Sequence, residues 1–80
     1  MNSYTTRTGT VRIGQLYRDA KRDEPRTVVV QSIAAPYTDY RGKDRCEVTV
    51  AVQTAGGLVK KLITLDAARL TSNNYVLVGR

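Results

Sequence analysis

Eighty residues make one small domain with no room for a second. Thirteen Lys plus Arg against seven Asp plus Glu leave a net charge of +6, which favours anionic partners: nucleic acid, an acidic protein or an anionic surface. No histidine and a single cysteine exclude an intramolecular disulfide and the histidine-assisted nucleophiles of acyl transfer, and no apolar run approaches the ~18 residues of a membrane span.

The first ten residues, MNSYTTRTGT, carry no hydrophobic period and lack the apolar core of a signal peptide, so residues 1–10 are expected to be a flexible tail. Tyr4 and Arg7 could reach a ligand from such a tail, although disorder until binding is the plainer expectation. Residues 11–80 are expected to form a single β-barrel domain. Gly14 marks a bend leading into a short strand, Gln15 to Arg18, with Leu16 in the core and Val11 or Ile13 packed nearby. Tyr17 and Arg18 fall at the strand end, where at least one is exposed.

Ala20 to Arg26 is a surface loop around Pro25, in which Lys21, Arg22, Asp23 and Glu24 nearly cancel. Thr27 to Ile33 is the second strand. Val28 and Val30 point inward and Val29 is partly covered, the β-branched side chains favouring the pleat. Ala34 to Asp44, AAPYTDYRGKD, breaks the pattern with Pro36 and Gly42. Here Tyr37 and Tyr40 sit among Arg41, Lys43 and Arg45. Single-stranded nucleic acid is held this way, by a ring for a base and a cation for a phosphate. Protein hot spots use the same residue types.

Arg45 to Leu65 reads as a hairpin turning at Thr54-Ala55-Gly56-Gly57. Val48, Val50 and Val52 share one face, and Val59, Ile63 and Leu65 share a parity on the return strand. Cys46 is expected to be a small buried hydrophobe with no base beside it. Lys60 and Lys61, being adjacent, point to opposite faces and add phosphate contacts. Asp66 is an N-cap residue for a single 3₁₀-like turn bracketed by Leu65 and Leu70. Tyr75 to Val78 is the last strand.

Five short strands with one helical turn before the last is the order of a small five-stranded Src-homology-three-like barrel, so the fold class is all-β. An oligonucleotide-binding barrel, the rival, usually places a longer helix where this chain has the four-residue turn 54–57. The segments Gly14-Gln15-Leu16-Tyr17-Arg18-Asp19, Arg26-Thr27-Val28, Ile63-Thr64-Leu65, Arg69-Leu70 and Tyr75-Val76-Leu77-Val78 also resemble small uncharacterised proteins of actinobacteria and their phages. That resemblance covers about residues 11–79. It implies a barrel and a phage or mobile-element context, and no activity. Leu16-Tyr17-Arg18-Asp19 also resembles the opening of true Src-homology-three domains. Without any tryptophan, however, the aromatic wall for polyproline is missing.

No metal-ligand spacing, phosphate loop or nucleophile elbow occurs, so no cofactor and no enzymatic activity are expected. The adjacent carboxylates Asp23 and Glu24 lie in a charged loop rather than the desolvated cleft that acid–base work needs. Three functions remain: a cytoplasmic module binding DNA or RNA, a module binding a host protein, and a homodimer joined through strand edges. The binding candidates are Tyr17, Tyr37, Tyr40, Arg41, Lys43, Arg45, Lys60 and Lys61. One free cysteine fits a reducing compartment, and no membrane is involved.

Overall fold

The computed structural model describes residues 2–20, 26–53 and 58–79. The turn expected at 54–57 and the charged loop at 21–25 lie outside the described residues. Within them the chain is all-β apart from one helical turn. In chain order the strands are β1 (Ser3–Thr5), β2 (Thr10–Arg12), β3 (Leu16–Asp19), β4 (Thr27–Ile33), β5 (Tyr37–Thr38), β6 (Asp44–Arg45), β7 (Glu47–Gln53), β8 (Val59–Asp66) and β9 (Tyr75–Gly79). The helix α1 (Ala67–Leu70) joins β8 to β9.

Five strands form one antiparallel sheet in the order β8-β7-β4-β3-β9, flanked by the two-stranded hairpins β1-β2 and β5-β6. The sheet is open: β8 and β9 are its two edges, and no closed barrel forms among the described residues. Other elements cover the core instead. Val11 of β2 and Ala67 and Leu70 of α1 are fully buried, and Tyr4 of β1 packs against the same cluster. Residues 3–12, read largely as a tail, are therefore a hairpin docked on the core, with Tyr4 opposite Val11.

The alternation of valines sets the sheet's inner face. Val28 and Val30 of β4 stand beside Val52 and Val50 of β7, and all four are buried. Two β-bulges then decide which side chains stay inside, because one extra residue inverts the parity of everything beyond it. On β4 the register shifts between Val30 and Ser32, which brings Ile33 opposite Val48 and into the core. On β8 the shift falls between the partners of Val52 and Gln53, pairing Lys61 with Val52 and Val59 with Gln53. Val59, expected to share the inner face with Ile63 and Leu65, is thus exposed, while those two pack against the core.

Two local expectations are corrected. Leu16 was expected in the core, but Tyr17 takes that place: it pairs with Val28 on the inner face, and Leu16 lies opposite Val29. The phenol is tolerated inside because its hydroxyl has a partner, donating to Gln15 Oε1 at 3.0 Å. The helical turn is α rather than 3₁₀, since Thr71 N–H bonds Ala67 O four residues back. Asp66 does cap it, its Oδ1 accepting from Ala68 N–H at 2.9 Å. No helix of the described residues is long and apolar enough to cross a membrane.

Candidate functional site

The β5-β6 hairpin gathers most of the predicted site residues and holds them in one arrangement. Asp39 starts the turn. Its Oδ1 accepts from Arg41 N–H at 2.9 Å and from Lys43 N–H at 3.0 Å, so one carboxylate oxygen satisfies two loop amides. Gly42 closes the turn at a φ of +79°, a conformation that side chains disfavour. The other oxygen of Asp39 receives Arg45 Nε–H at 3.0 Å, and Arg45 Nη1 donates to Asp66 Oδ2 at 3.2 Å. Arg45 therefore ties the hairpin to the residue that caps α1. These bonds hold the Asp39 carboxyl below the usual carboxylate range, Arg45's hydrogen bond being the largest cause. They also push the Arg45 guanidinium up.

The clamp presents the remaining residues to solvent. Tyr40 stands at the tip, 89 % exposed, with the Arg41 guanidinium 5.4 Å from its ring centroid and Arg41 Nε–H donating to its hydroxyl at 3.1 Å. Tyr37, half exposed, lies across the ladder from Arg45. Arg45 pairs with both Asp39 and Asp66, and Arg41 and Lys43 form no ion pair among the described residues. The arrangement offers aromatic faces for stacking next to cations that carry no ion pair among the described residues.

Two predicted residues, Tyr17 and Lys61, are not part of it. Tyr17 is 3 % exposed, within the core, and burial pushes its phenol up. It does not face solvent. Lys61 is exposed on β8, five positions before Asp66, or ~16 Å along the strand from the clamp at about 3.3 Å per residue. The side chain of Lys60 lies outside the described residues. Cys46 is buried as expected: its thiol donates to Ala34 O at 3.3 Å and is pushed up by burial first and the Asp66 charge second.

Sequence reasoning missed the role of Asp39, which organises the loop. The available signal was an aspartate two residues before Arg41 and four before Lys43, with Gly42 between, the pattern of a side chain bonding its own turn. No protein-family model, curated protein or solved structure matches the chain.

Proposed function

We propose that this chain is a non-enzymatic, cytoplasmic module that binds single-stranded nucleic acid, DNA or RNA, through the β5-β6 hairpin. The observation that carries this is Tyr40, an aromatic ring at the tip of a hairpin fixed by the Asp39–Arg45–Asp66 bonds, with Arg41 against the ring and Lys43 in no ion pair among the described residues. An exposed ring is open to a base, and such stacking contributes about 1–3 kcal/mol per base. The strand order, with one helical turn between β8 and β9, supports a Src-homology-three-like arrangement of the elements, here with an open sheet.

Tyrosine is the only strong intrinsic fluorophore here, since the chain has no tryptophan. Titration with an oligothymidylate or oligouridylate at low salt quenches the exposed rings, and Tyr40→Ala removes most of that quenching. Quenching that Tyr40→Ala leaves intact, or none at all, refutes the reading.

The free edge of β9 supports a second reading, association with protein. Val76, Leu77 and Val78 are each between 43 and 59 % exposed and project on both faces of an edge strand. A partner strand added there would cover them, whether from a host protein, as the phage-like resemblance implies, or from a second copy. Sedimentation across a concentration series tests the second copy. A constant single-chain mass excludes it.

A further inference from the structure

A cleft of about 660 Å³ separates the β1-β2 hairpin from the β5-β6 hairpin. The turn of the first hairpin, with Tyr4 and Arg7, lines one wall; Lys43 and Asp44 line the other, above Asp66. One wall of the cleft is thus the base of the hairpin that carries Tyr40 at its tip.

The turn that carries Arg7 is fixed on both sides. Thr6 N–H bonds Gly9 O at 2.7 Å, and the hydroxyls of Thr6 and Thr8 meet Thr71 Oγ1 at 2.8 and 2.7 Å. Thr71 in turn follows α1, whose cap is Asp66, the residue that Arg45 grips. One helical turn therefore anchors both walls. Gly9 fits this contact closely, since a Cβ there would meet Thr71 Cγ2 at 3.4 Å.

The charges in the cleft are unequally committed. Among the described residues neither Arg7 nor Lys43 forms an ion pair. Of the two carboxylates, Asp66 already receives Arg45 and the Ala68 amide, while among the described residues Asp44 receives only the Thr38 hydroxyl at 3.3 Å. Two cations without ion pairs thus line one groove with one weakly engaged anion.

We infer, resting on the nucleic-acid reading above, that this cleft carries the backbone of the bound strand, with Arg7 and Lys43 each taking a phosphate while bases stack on Tyr40. Arg7 is then a second pole of the site, supplied by a segment that looks like a tail in the sequence. Asp44 opposes the ligand and sets its affinity below the maximum this geometry allows.

The test is fluorescence anisotropy with labelled oligothymidylate and oligouridylate over a series from about 20 to ~200 mM KCl, where each phosphate contact on a single strand contributes ~0.7 to the slope of log K against log salt. Arg7→Gln lowers the slope by about 0.7, and with Lys43→Gln by ~1.4. Arg7→Lys keeps the slope, because the charge and not the fork is counted. Asp44→Asn tightens binding. Arg18→Gln, which removes an exposed cation of β3, leaves binding at the cleft unchanged. The two oligomers separate a DNA ligand from an RNA ligand. A slope unchanged by Arg7→Gln, with Tyr40→Ala still weakening binding, overturns the cleft and leaves the hairpin reading intact. A slope lost in Arg7→Lys as well as in Arg7→Gln assigns Arg7 a structural role and also overturns the inference. No binding to either oligomer at low salt overturns both proposals.

Discussion

Tyr17 separates a core role from a surface role cleanly, because two substitutions there have different consequences. Tyr17→Phe keeps the ring and deletes one hydrogen bond. The acceptor, Gln15 Oε1, is not orphaned, since it also receives Arg12 N–H at 2.7 Å. The loss therefore falls in the lower part of the usual ~0.5–1.5 kcal/mol for a hydrogen bond, about 0.5–1. At roughly 4–8 °C per kcal/mol for a domain of this size, the melting temperature falls by ~2–8 °C. Tyr17→Ala removes the ring and leaves a cavity against Val28, which costs roughly 3–5 kcal/mol. A chain of 80 residues has a total stability of only ~4–12 kcal/mol, so that loss removes from a quarter to all of it and lowers the melting temperature far more than Tyr17→Phe does. Burial raises the phenol's pKa, so the folded state holds its proton longer than the unfolded chain does. This contribution is fully present below the ordinary value of 10.0 and is lost as pH rises through the raised folded value. The gap between wild type and Tyr17→Phe accordingly narrows in alkaline melts. Circular dichroism melts at neutral and alkaline pH, together with an oligomer titration of each variant, measure all of this. If Tyr17→Phe weakens nucleic-acid binding as Tyr40→Ala does while its melting temperature stays at the wild-type value, Tyr17 is a contact residue and the placement is wrong.

Other expectations follow from the same contacts. Cys46 reacts slowly with a disulfide reagent in the folded protein and rapidly in urea, because its thiol is buried, bonded to Ala34 O and raised in pKa; fast native labelling would contradict this. Gly42→Ala forces a side chain into a φ of +79°, at a cost of about 1–2 kcal/mol confined to the hairpin. It weakens oligomer binding with little change in the global melt, and a variant that binds as wild type would refute the need for an ordered hairpin. Asp39→Asn speeds amide hydrogen exchange at Arg41 and Lys43, the two amides its Oδ1 accepts. Acid lowers the protection factors of the same two amides in the wild type, once the pH-dependent intrinsic rate is divided out. The Asp39 pKa is lowered in the folded state, so its contribution is present above the ordinary 3.8 and is lost as pH falls through the lowered folded value.

The inner face of the sheet was legible because it depends on period alone. Val28, Val30, Val48, Val50 and Val52 alternate, the structure buries all five, and the Asp66 cap follows from residue type at a change of period. Where a bulge intervenes the pattern misleads. Val59 has the right parity for the core, yet the shift beside Lys61 turns it outward, and no local residue announces that shift. Tyr17 went astray for a different reason: propensity ranks Leu16 as the more apolar neighbour, but Gln15 Oε1, only two residues back, satisfies the phenol inside the core. The docked hairpin of residues 3–12 rests on Val11, Tyr4 and hydroxyls that meet Thr71 some 65 positions away, a contact between segments far apart in the sequence. Within the site, the tyrosines and cations were legible by type. Arg45's removal from the binding set was not, because it depends on Asp66, which lies 21 positions further on.

The most direct measurement is a binding titration of the purified protein against single-stranded and double-stranded DNA and RNA at two salt concentrations, with wild type beside Tyr37→Ala/Tyr40→Ala. The account predicts single-strand binding that weakens steeply with salt and weakens further in the double variant, whose melting temperature stays near wild type because both rings are exposed. Absence of binding at low salt, or binding that the double variant retains in full, would contradict it.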